Sequence, residues 1–529
     1  MEALCKQSHP SQPSFLNGID IQGKRLGRAS ANLHSDSCKI PLRARRISKK
    51  VYFHSFHRFV TATLDPRQHH LHQQRTSNEL FSKRWIEAQP LEKPGEMHGG
   101  QVRPGRPDRI APAEHILFQG FNWESPHNYP WYSVVQSQVK DIMAAGITDV
   151  WLPPPSQSVD VNGYLPSQLY NLNESKYGTK AQLEGLIDAL HMSGICCIAD
   201  IVINHRSGYS QDSSGHWNIF EGGTKDERLN WGPWAVVGND AYDSGGKGHG
   251  DTGESYGAAP DLDHTNKRVQ DELTDWMNWL KADIGFDGWR FDFVKGYAPK
   301  FTKLYCERTL PNFAVGELWT SLTYDNGQPS YDQNGHRQVL CDWIDGTSGL
   351  STAFDFTTKG ILQSAVCGEF WRLKDAQGKP PGLAGWYPDK AVTFIDNHDT
   401  GSTQRHWNFP DDKVLLGYVY ILTHPGTPCV FYDHFFSWGL QQQIGELIHL
   451  RKRAGVNASS NIRIDAAESD IYVANIDEKI IVKLGPRFDM GSLLPDSVNW
   501  KLALSGVDFA VWESTKAKEP ATKENKNGI

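Results

Sequence analysis

Several apolar runs in this chain end in side chains that can carry protons or attack carbon. Arg290 and Asp292 lie either side of Phe291, in a stretch made strand-like by Phe286, Trp289, Phe291, Phe293 and Val294. Residues i and i+2 of an extended strand share a face, so the stretch aims a cation and a carboxylate the same way. Burying charge is costly unless it is paired or used, and taken alone this pair reads as a structural ion pair. Asp200, Asn204 and His205 close a second apolar run, Glu317 a third, and His398 and Asp399 a fourth. The set contains no Ser–His–Asp arrangement on a nucleophile elbow, and no glycine-rich phosphate loop sits at a strand–helix junction. Paired carboxylates are what glycoside hydrolysis needs: one attacks or stabilises an oxocarbenium-like centre while the other gives and takes a proton.

These residues need a frame that brings several strand ends together. Strand-like runs fall at 115–123, 147–152, 195–203, 285–297, 313–319, 351–356, 391–399 and 427–432, and helical spacing recurs between them, as at 132–145, 180–192, 271–281 and 441–453. The almost wholly apolar run at 195–203 predicts a strand buried on both faces, as in parallel sheets. Eight strands with intervening helices predict an α/β fold, a (β/α)8 TIM barrel, in which catalytic groups come from the C-terminal ends of several strands. The predicted barrel covers 113–205 and 259–455. Residues 206–258 break the rhythm with Gly, Asp, Ser and Asn, and a loop this long in a compact domain is usually functional. From 456 to 513 the pattern alternates, which predicts a C-terminal antiparallel β domain with strands near 462, 471–475, 479–484 and 509–512.

Composition narrows the partners. A net charge of −7 gives no overall basic footprint for nucleic acid. No window approaches 18 consecutive apolar residues, so no membrane span is expected. None of the eight cysteines forms CxxC, which argues against a zinc or redox motif; Cys196, Cys197 and Cys429 read as buried thiols. Residues 1–112 read as a disordered basic extension, with a plastid transit feature as a minority reading, and 514–529 as a polar tail.

Asp200-Ile-Val-Ile-Asn-His205, Gly288-Trp-Arg-Phe-Asp-Phe-Val-Lys-Gly296, Gly316-Glu-Leu-Trp319 and Phe394-Ile-Asp-Asn-His-Asp399 resemble the four ordered motifs of the α-amylase family. The span from about 114 to 513 resembles plant members, including Trp151-Leu-Pro-Pro-Pro-Ser156 and Phe354-Asp-Phe-Thr-Thr-Lys-Gly360. The resemblance implies endohydrolysis of α-1,4-glucosidic bonds with retention. Asp292 would be the nucleophile, held ionised by Arg290, with Glu317 the general acid/base and Asp399 the transition-state stabiliser. It further implies sugar contacts from His205, His398, Tyr164 and Lys295. The insertion resembles a domain B that packs on the barrel through Ca2+, at a central site of Asn204, Asp240, Asp261 and the carbonyls of Ala259 and Gly296. Ser255, with Glu254 beside it, stands where plant members commonly have Asp, which puts an adjoining second calcium in doubt. A loop site would use Glu221, Asp226 and the carbonyls of Gly222 and Thr224. Trp386 and Tyr387 resemble a granule-stacking surface pair, and Phe488 replaces the Tyr of a second surface site. The implied partners are starch, amylose, amylopectin and maltooligosaccharides, acted on by a monomer. The implied address is secreted, with a plastid address the alternative from the basic N-terminal stretch. A catalytically silent starch-binding homologue and a transglycosylase or debranching relative are the alternatives.

Overall fold

The computed structural model describes residues 105–108 and 110–516. Most of the basic extension expected over 1–112, and most of the tail expected over 514–529, lies outside the described residues. Eight parallel strands close into a barrel: β1 (Leu117–Gln119), β2 (Asp149–Leu152), β3 (Cys196–Ile201), β4 (Gly288–Phe291), β5 (Ala314–Gly316), β6 (Thr352–Phe354), β7 (Ala391–Thr393) and β8 (Thr427–Phe431). Strand β1 pairs with β2 on one side and β8 on the other, which closes the ring. The helices of ten or more residues between and after them are α1 (Trp131–Ala145), α2 (Lys180–Met192), α3 (Lys267–Trp279), α4 (Pro299–Thr309), α5 (Asn334–Gly346), α6 (Phe356–Ala365), α7 (Val414–Thr423) and α8 (Gln441–Ala454). No helix among the described residues is long and apolar enough to cross a membrane.

Local sequence explains these elements. Helix α1 buries Trp131, Val135, Val139 and Ile142 on one stripe and stops at Gly146, whose φ of 86° is left-handed. Thr179 and Gln182 form a reciprocal capping box at the start of α2. Strand β3 is buried along its whole length, as the apolar run predicts. Its register with β4 sets Asp200 opposite Arg290, and the register of β4 with β5 sets Phe291 opposite Gly316. Asp292 and Glu317 therefore each stand one residue beyond neighbouring strands. The chain then turns sharply, with Phe293 at φ 44° and a 3-10 turn over Val294–Gly296.

Three expectations change. Strand β6 ends at Phe354 because Asp355 caps α6, its carboxylate accepting from the Thr358, Leu383 and Ala384 N–H groups and the Thr358 hydroxyl. Strand β7 stops at Thr393, and the polar end of that run is a turn around Asn397, whose Oδ1 accepts from the Asp399 and Thr400 N–H groups. The C-terminal sheet has five strands rather than four: β9 (Ile462–Ala467), β10 (Tyr472–Ile476), β11 (Ile480–Leu484), β12 (Trp500–Gly506) and β13 (Phe509–Ser514), in the order β9-β10-β11-β13-β12. The unexpected strand, β12, is an edge strand with a register shift between Leu502 and Leu504 and no clean buried face, so its sequence carries little alternation. Cys196, Cys197 and Cys429 are buried free thiols.

The stretch between β3 and α3 is irregular, held by isolated bridges such as Phe220–Trp231 and Val236–Leu262. Arg206, at its root, is fully buried. Its guanidinium donates to the carbonyls of Ser167 (2.7 Å), Leu229 (2.9 Å) and Glu221 (2.6 Å) and lies against the rings of Phe220 and Trp231. One cation thus joins both arms of the insertion to the β2–α2 loop. Arg206→Met leaves these carbonyls without their donor and is expected to remove on the order of 3 kcal/mol of stability in denaturant unfolding. Faster hydrogen exchange across 206–258 should accompany it; wild-type protection there in the variant would show that Arg206 is not the clamp.

Candidate active site

The strand ends converge on one buried guanidinium. Arg290 Nη1 donates to Asp200 Oδ1 (2.8 Å) and Asp292 Oδ1 (2.7 Å), and Nη2 lies 2.7 Å from Glu317 Oε1. Trp151 covers the guanidinium at 4.9 Å and Tyr164 at 5.8 Å. The second Asp200 oxygen accepts from Tyr164 Oη (2.9 Å) and Trp151 Nε1 (3.1 Å). Burial, reinforced by the charge of Asp292, outweighs Arg290 and pushes Asp200 up to about 6. Burial acts the same way on Glu317, pushed up to about 8 with help from Asp292, Asp399 and Asp200, and on Asp399, pushed up to about 7. The site therefore holds carboxyls of differing proton affinity on a single scaffold, the pattern that separates an acid from a base.

His398 sits between the barrel wall and Asp399. Gln119 Nε2 donates to its Nδ1 (2.9 Å), which leaves the proton on Nε2, 3.4 Å from Asp399 Oδ2. Burial, then Arg290, holds this imidazole well below its ordinary range, so it is a neutral donor. Tyr164 stacks on it at 5.1 Å and 7°. His205 stacks on Tyr256 at 3.8 Å, donates from Nε2 to the Tyr164 carbonyl (2.8 Å) and faces Asn204 through Nδ1. Both His205 nitrogens are thus engaged within the protein, and a sugar hydroxyl has to compete with the Tyr164 carbonyl. Lys295 pairs with Glu254 of the insertion (2.8 Å) and lies over the Phe293 ring.

The candidate cation residues fall into two groups. Asn204 Nδ2 donates to Asp261 Oδ1 (3.0 Å), while Asn204 Oδ1 is buried without a hydrogen-bond partner. Gly296 abuts it: a Cβ there would lie 2.1 Å from Asn204 Oδ1. Asp261 is pushed up to about 7, by burial first and then by the charges of Asp240 and Asp251. Asp251 Oδ2 is a second buried oxygen without a partner. Orphan oxygens and mutually repelling carboxylates fit a hard cation. Asp240 is less available, because Oδ1 accepts from the Asp261 N–H and Oδ2 from the Ser244 hydroxyl. Ala259 is buried beside this cluster in sequence. The 221–226 loop fits a cation poorly. Asp226 pairs with Arg228 (2.8 Å), the Gly222 carbonyl accepts from the Tyr170 N–H, and the Glu221 carbonyl accepts from Arg206; Thr224 lies within this self-held loop.

At the surface, Trp386 and Tyr387 are partly buried against the core, and the Arg337 guanidinium covers the Trp386 ring at 3.7 Å. Phe488 is 98% exposed. Sequence reading missed the parts played by Asp200, Gln119, Trp151 and Asp251. Asp200 and Trp151 lay inside recognised runs. Asp251 opens an Asp-Thr-Gly turn in which its Oδ1 accepts from the Thr252 and Gly253 N–H groups, a signal available in the sequence.

The family model for the α-amylase catalytic domain matches residues 133–337, and that for the α-amylase C-terminal β-sheet domain matches 453–513. Alpha-amylase 3, chloroplastic, of Arabidopsis thaliana is 46% identical over 404 residues, covering 76% of this chain and 44% of the relative, so the chain spans less than half of that protein. Probable alpha-amylase 2 of Arabidopsis thaliana is 46% identical over 405 residues, covering 76% of this chain and 95% of the relative. The crystal structure of α-amylase from Geobacillus thermoleovorans complexed with acarbose shares the fold, with a TM-score of 0.54 at 17% sequence identity, over 78% of this chain and 100% of that one. With a full-length relative at this identity, the chain belongs to the α-amylase family.

Proposed function

We propose that the chain is an α-amylase that hydrolyses internal α-1,4-glucosidic bonds of starch, amylose, amylopectin and maltooligosaccharides with retention of configuration. The observation that carries this reading is the placement of Asp292 and Glu317 on the same buried guanidinium, with Asp399 close enough to raise the proton affinity of Glu317. Asp292 Oδ attacks the anomeric carbon as the bond to the leaving oxygen breaks, and Glu317 gives that oxygen its proton. Glu317, now ionised, takes a proton from water; the water oxygen attacks the anomeric carbon and Asp292 is released. Two inversions give retention. Asp399 and the neutral His398 Nε2–H bind sugar hydroxyls, Tyr164 offers a stacking face, and His205 holds Tyr164 in place. Lys295, tied to Glu254, sits at the edge of the site. The chloroplastic relative fits a plastid address.

Calcium is the cation whose preference for several oxygen ligands suits Asn204, Asp240, Asp251, Asp261 and the carbonyls of Ala259 and Gly296. When bound it supplies positive charge that fixes the insertion against the barrel, without a part in bond breaking.

Glu317 acts as an acid only while protonated, and its raised pKa means that activity is lost as pH rises through about 8. Asp200→Asn removes one negative neighbour and frees Arg290 for Glu317, so the alkaline limb of kcat/KM is expected to move to lower pH. An unmoved limb in a variant that still turns over starch would sink this electrostatic account. Glu317→Gln and Asp292→Asn should each lower kcat by at least about a hundredfold, and near-normal turnover in either would reassign the roles. Product analysis on amylose against pullulan separates hydrolysis from transglycosylation and debranching. Chelation with EDTA should lower both Tm and activity, with calcium restoring them, and Asp251→Asn should blunt the Tm gain on calcium addition. Full Tm after exhaustive chelation would remove the calcium assignment.

A further inference from the structure

We propose a second carbohydrate site on the outer surface, in the depression formed by Tyr331, Trp371, Lys374, Asp375 and Ala467. Its occupant is a short stretch of α-1,4-linked glucan; the choice of this sugar rests on the reading of the barrel site as a glucan hydrolase.

The depression has a volume of about 420 Å³, within the roughly 300–1,000 Å³ typical of small-ligand sites. Three separate parts of the chain build it. Tyr331 comes from the segment before α5, Trp371 to Asp375 from the 3-10 turn after α6 and its continuation, and Ala467 from the end of β9 in the C-terminal sheet. It therefore lies where the barrel meets that sheet, and it shares no residue with the carboxylate cluster around Arg290.

Two aromatic faces dominate it. Tyr331 is 43% and Trp371 37% exposed, with ring centroids 5.6 Å apart and planes tilted by 36°. Adjacent and open to solvent, they present two rings at different tilts on one patch of surface. Such rings usually pack away from water or meet a partner. The pair expected at Trp386 and Tyr387 differs in burial: both rings are packed against the core, whereas Trp371, with Arg372 over one face, and Tyr331 remain open to solvent. Arg337 pairs with Asp375 (2.7 Å) at the rim of the depression.

The platform is built before any ligand arrives. Tyr331 Oη donates to the Lys374 carbonyl (2.8 Å), fixing the ring. Arg372 backs Trp371 at 4.6 Å while donating to the Pro329 carbonyl (2.8 Å). Asp375 accepts from the Gln377 and Lys379 N–H groups as well as from Arg337, and Lys374 Nζ donates to the Ile464 carbonyl (3.2 Å). Little side-chain freedom remains to be lost on binding.

The chemistry of the lining selects a sugar. A pyranose has an apolar C–H face for the rings and a rim of hydroxyls that both give and accept hydrogen bonds, so it can share in the hydrogen bonds that the Asp375 carboxylate and the Lys374 ammonium already make at the rim. A wholly apolar segment would strip water from these charges without replacing it. The α-1,4 linkage also turns successive glucosyl rings against each other, which suits two tilted faces.

The test is affinity electrophoresis through gels containing soluble starch, in an Asp292→Asn background so that the polymer survives. Trp371→Ala and Tyr331→Ala, each added to Asp292→Asn, should weaken retardation by roughly 3- to 10-fold, the value of one aromatic contact. Trp371→Phe keeps an apolar face and should restore most of the retardation. Unchanged retardation in both alanine variants overturns the site; if Trp371→Ala fails to fold, Tyr331→Ala decides alone. Hydrolysis of maltoheptaose by the unsubstituted chain tests the barrel reading separately. A chain that hydrolyses it, and whose variants stay fully retarded, overturns only the surface site.

Discussion

One buried guanidinium carries the charge of the whole site. Arg290 is fully buried and faces Asp200, Asp292 and Glu317, with Asp399 near enough to be felt. Four carboxylates around one cation cannot all remain ionised out of water at low cost, so protons stay on the cluster at neutral pH. Asp200, Asp399 and Glu317 are all raised, with burial the largest cause for each. Burial first, and then the excess of acids over base, therefore keeps a proton on Glu317, the proposed acid. A fully neutralised cluster would bury charge more cheaply and would lose its acid.

The same constraint organises the insertion. Directly after Asp292 the chain takes the left-handed turn at Phe293 and reaches Gly296, which abuts Asn204 Oδ1 too closely for any side chain. Between them Lys295 pairs with Glu254, whose N–H donates to the Lys295 carbonyl. Five residues thus connect the proposed nucleophile, the contact with the insertion and the proposed cation cradle. Displacement of the insertion would be felt at Asp292 through backbone, without any side-chain relay.

Much of this was legible before any coordinates, for a physical reason. Polar residues at the ends of apolar runs are costly unless used, so Asp292, Glu317, Asp399 and Arg290 stand out against their neighbours. What escaped the sequence were partners that depend on register. Asp200 meets Arg290 because β3 and β4 align those residues, and Gln119 sets the His398 tautomer from the other side of the barrel. Strand ends were overextended at 351–356 and 391–399 because composition does not reveal that Asp355 and Asn397 gather backbone donors and turn the chain. Strand β12 was invisible because an edge strand with a bulge need not alternate. Among the residues proposed for a cation, Asp251, whose second oxygen is buried and unpartnered, is better placed than Asp240, whose oxygens both accept from protein donors.

The loop bearing His398 and Asp399 is fixed from behind. Asp396 is buried and accepts from Lys359 Nζ (3.2 Å), the Thr400 hydroxyl (2.9 Å) and the Phe409 N–H, with His434 Nε2 at 3.6 Å. Lys359 is equally buried and donates to the Trp407 carbonyl as well. Breaking either member would strand its partner as an unpaired buried charge, a loss of several kcal/mol by analogy with other buried pairs. That penalty ties the backbone of 396–400 to α6 and to the 407–409 segment, while Asn397 ties it from within. An error of about 1 Å in a catalytic carboxylate can cost a hundredfold in rate. A turn held only by exposed hydrogen bonds would wander by that much. The buried Lys359–Asp396 pair therefore fixes the shape of the loop that presents Asp399, the proposed stabiliser.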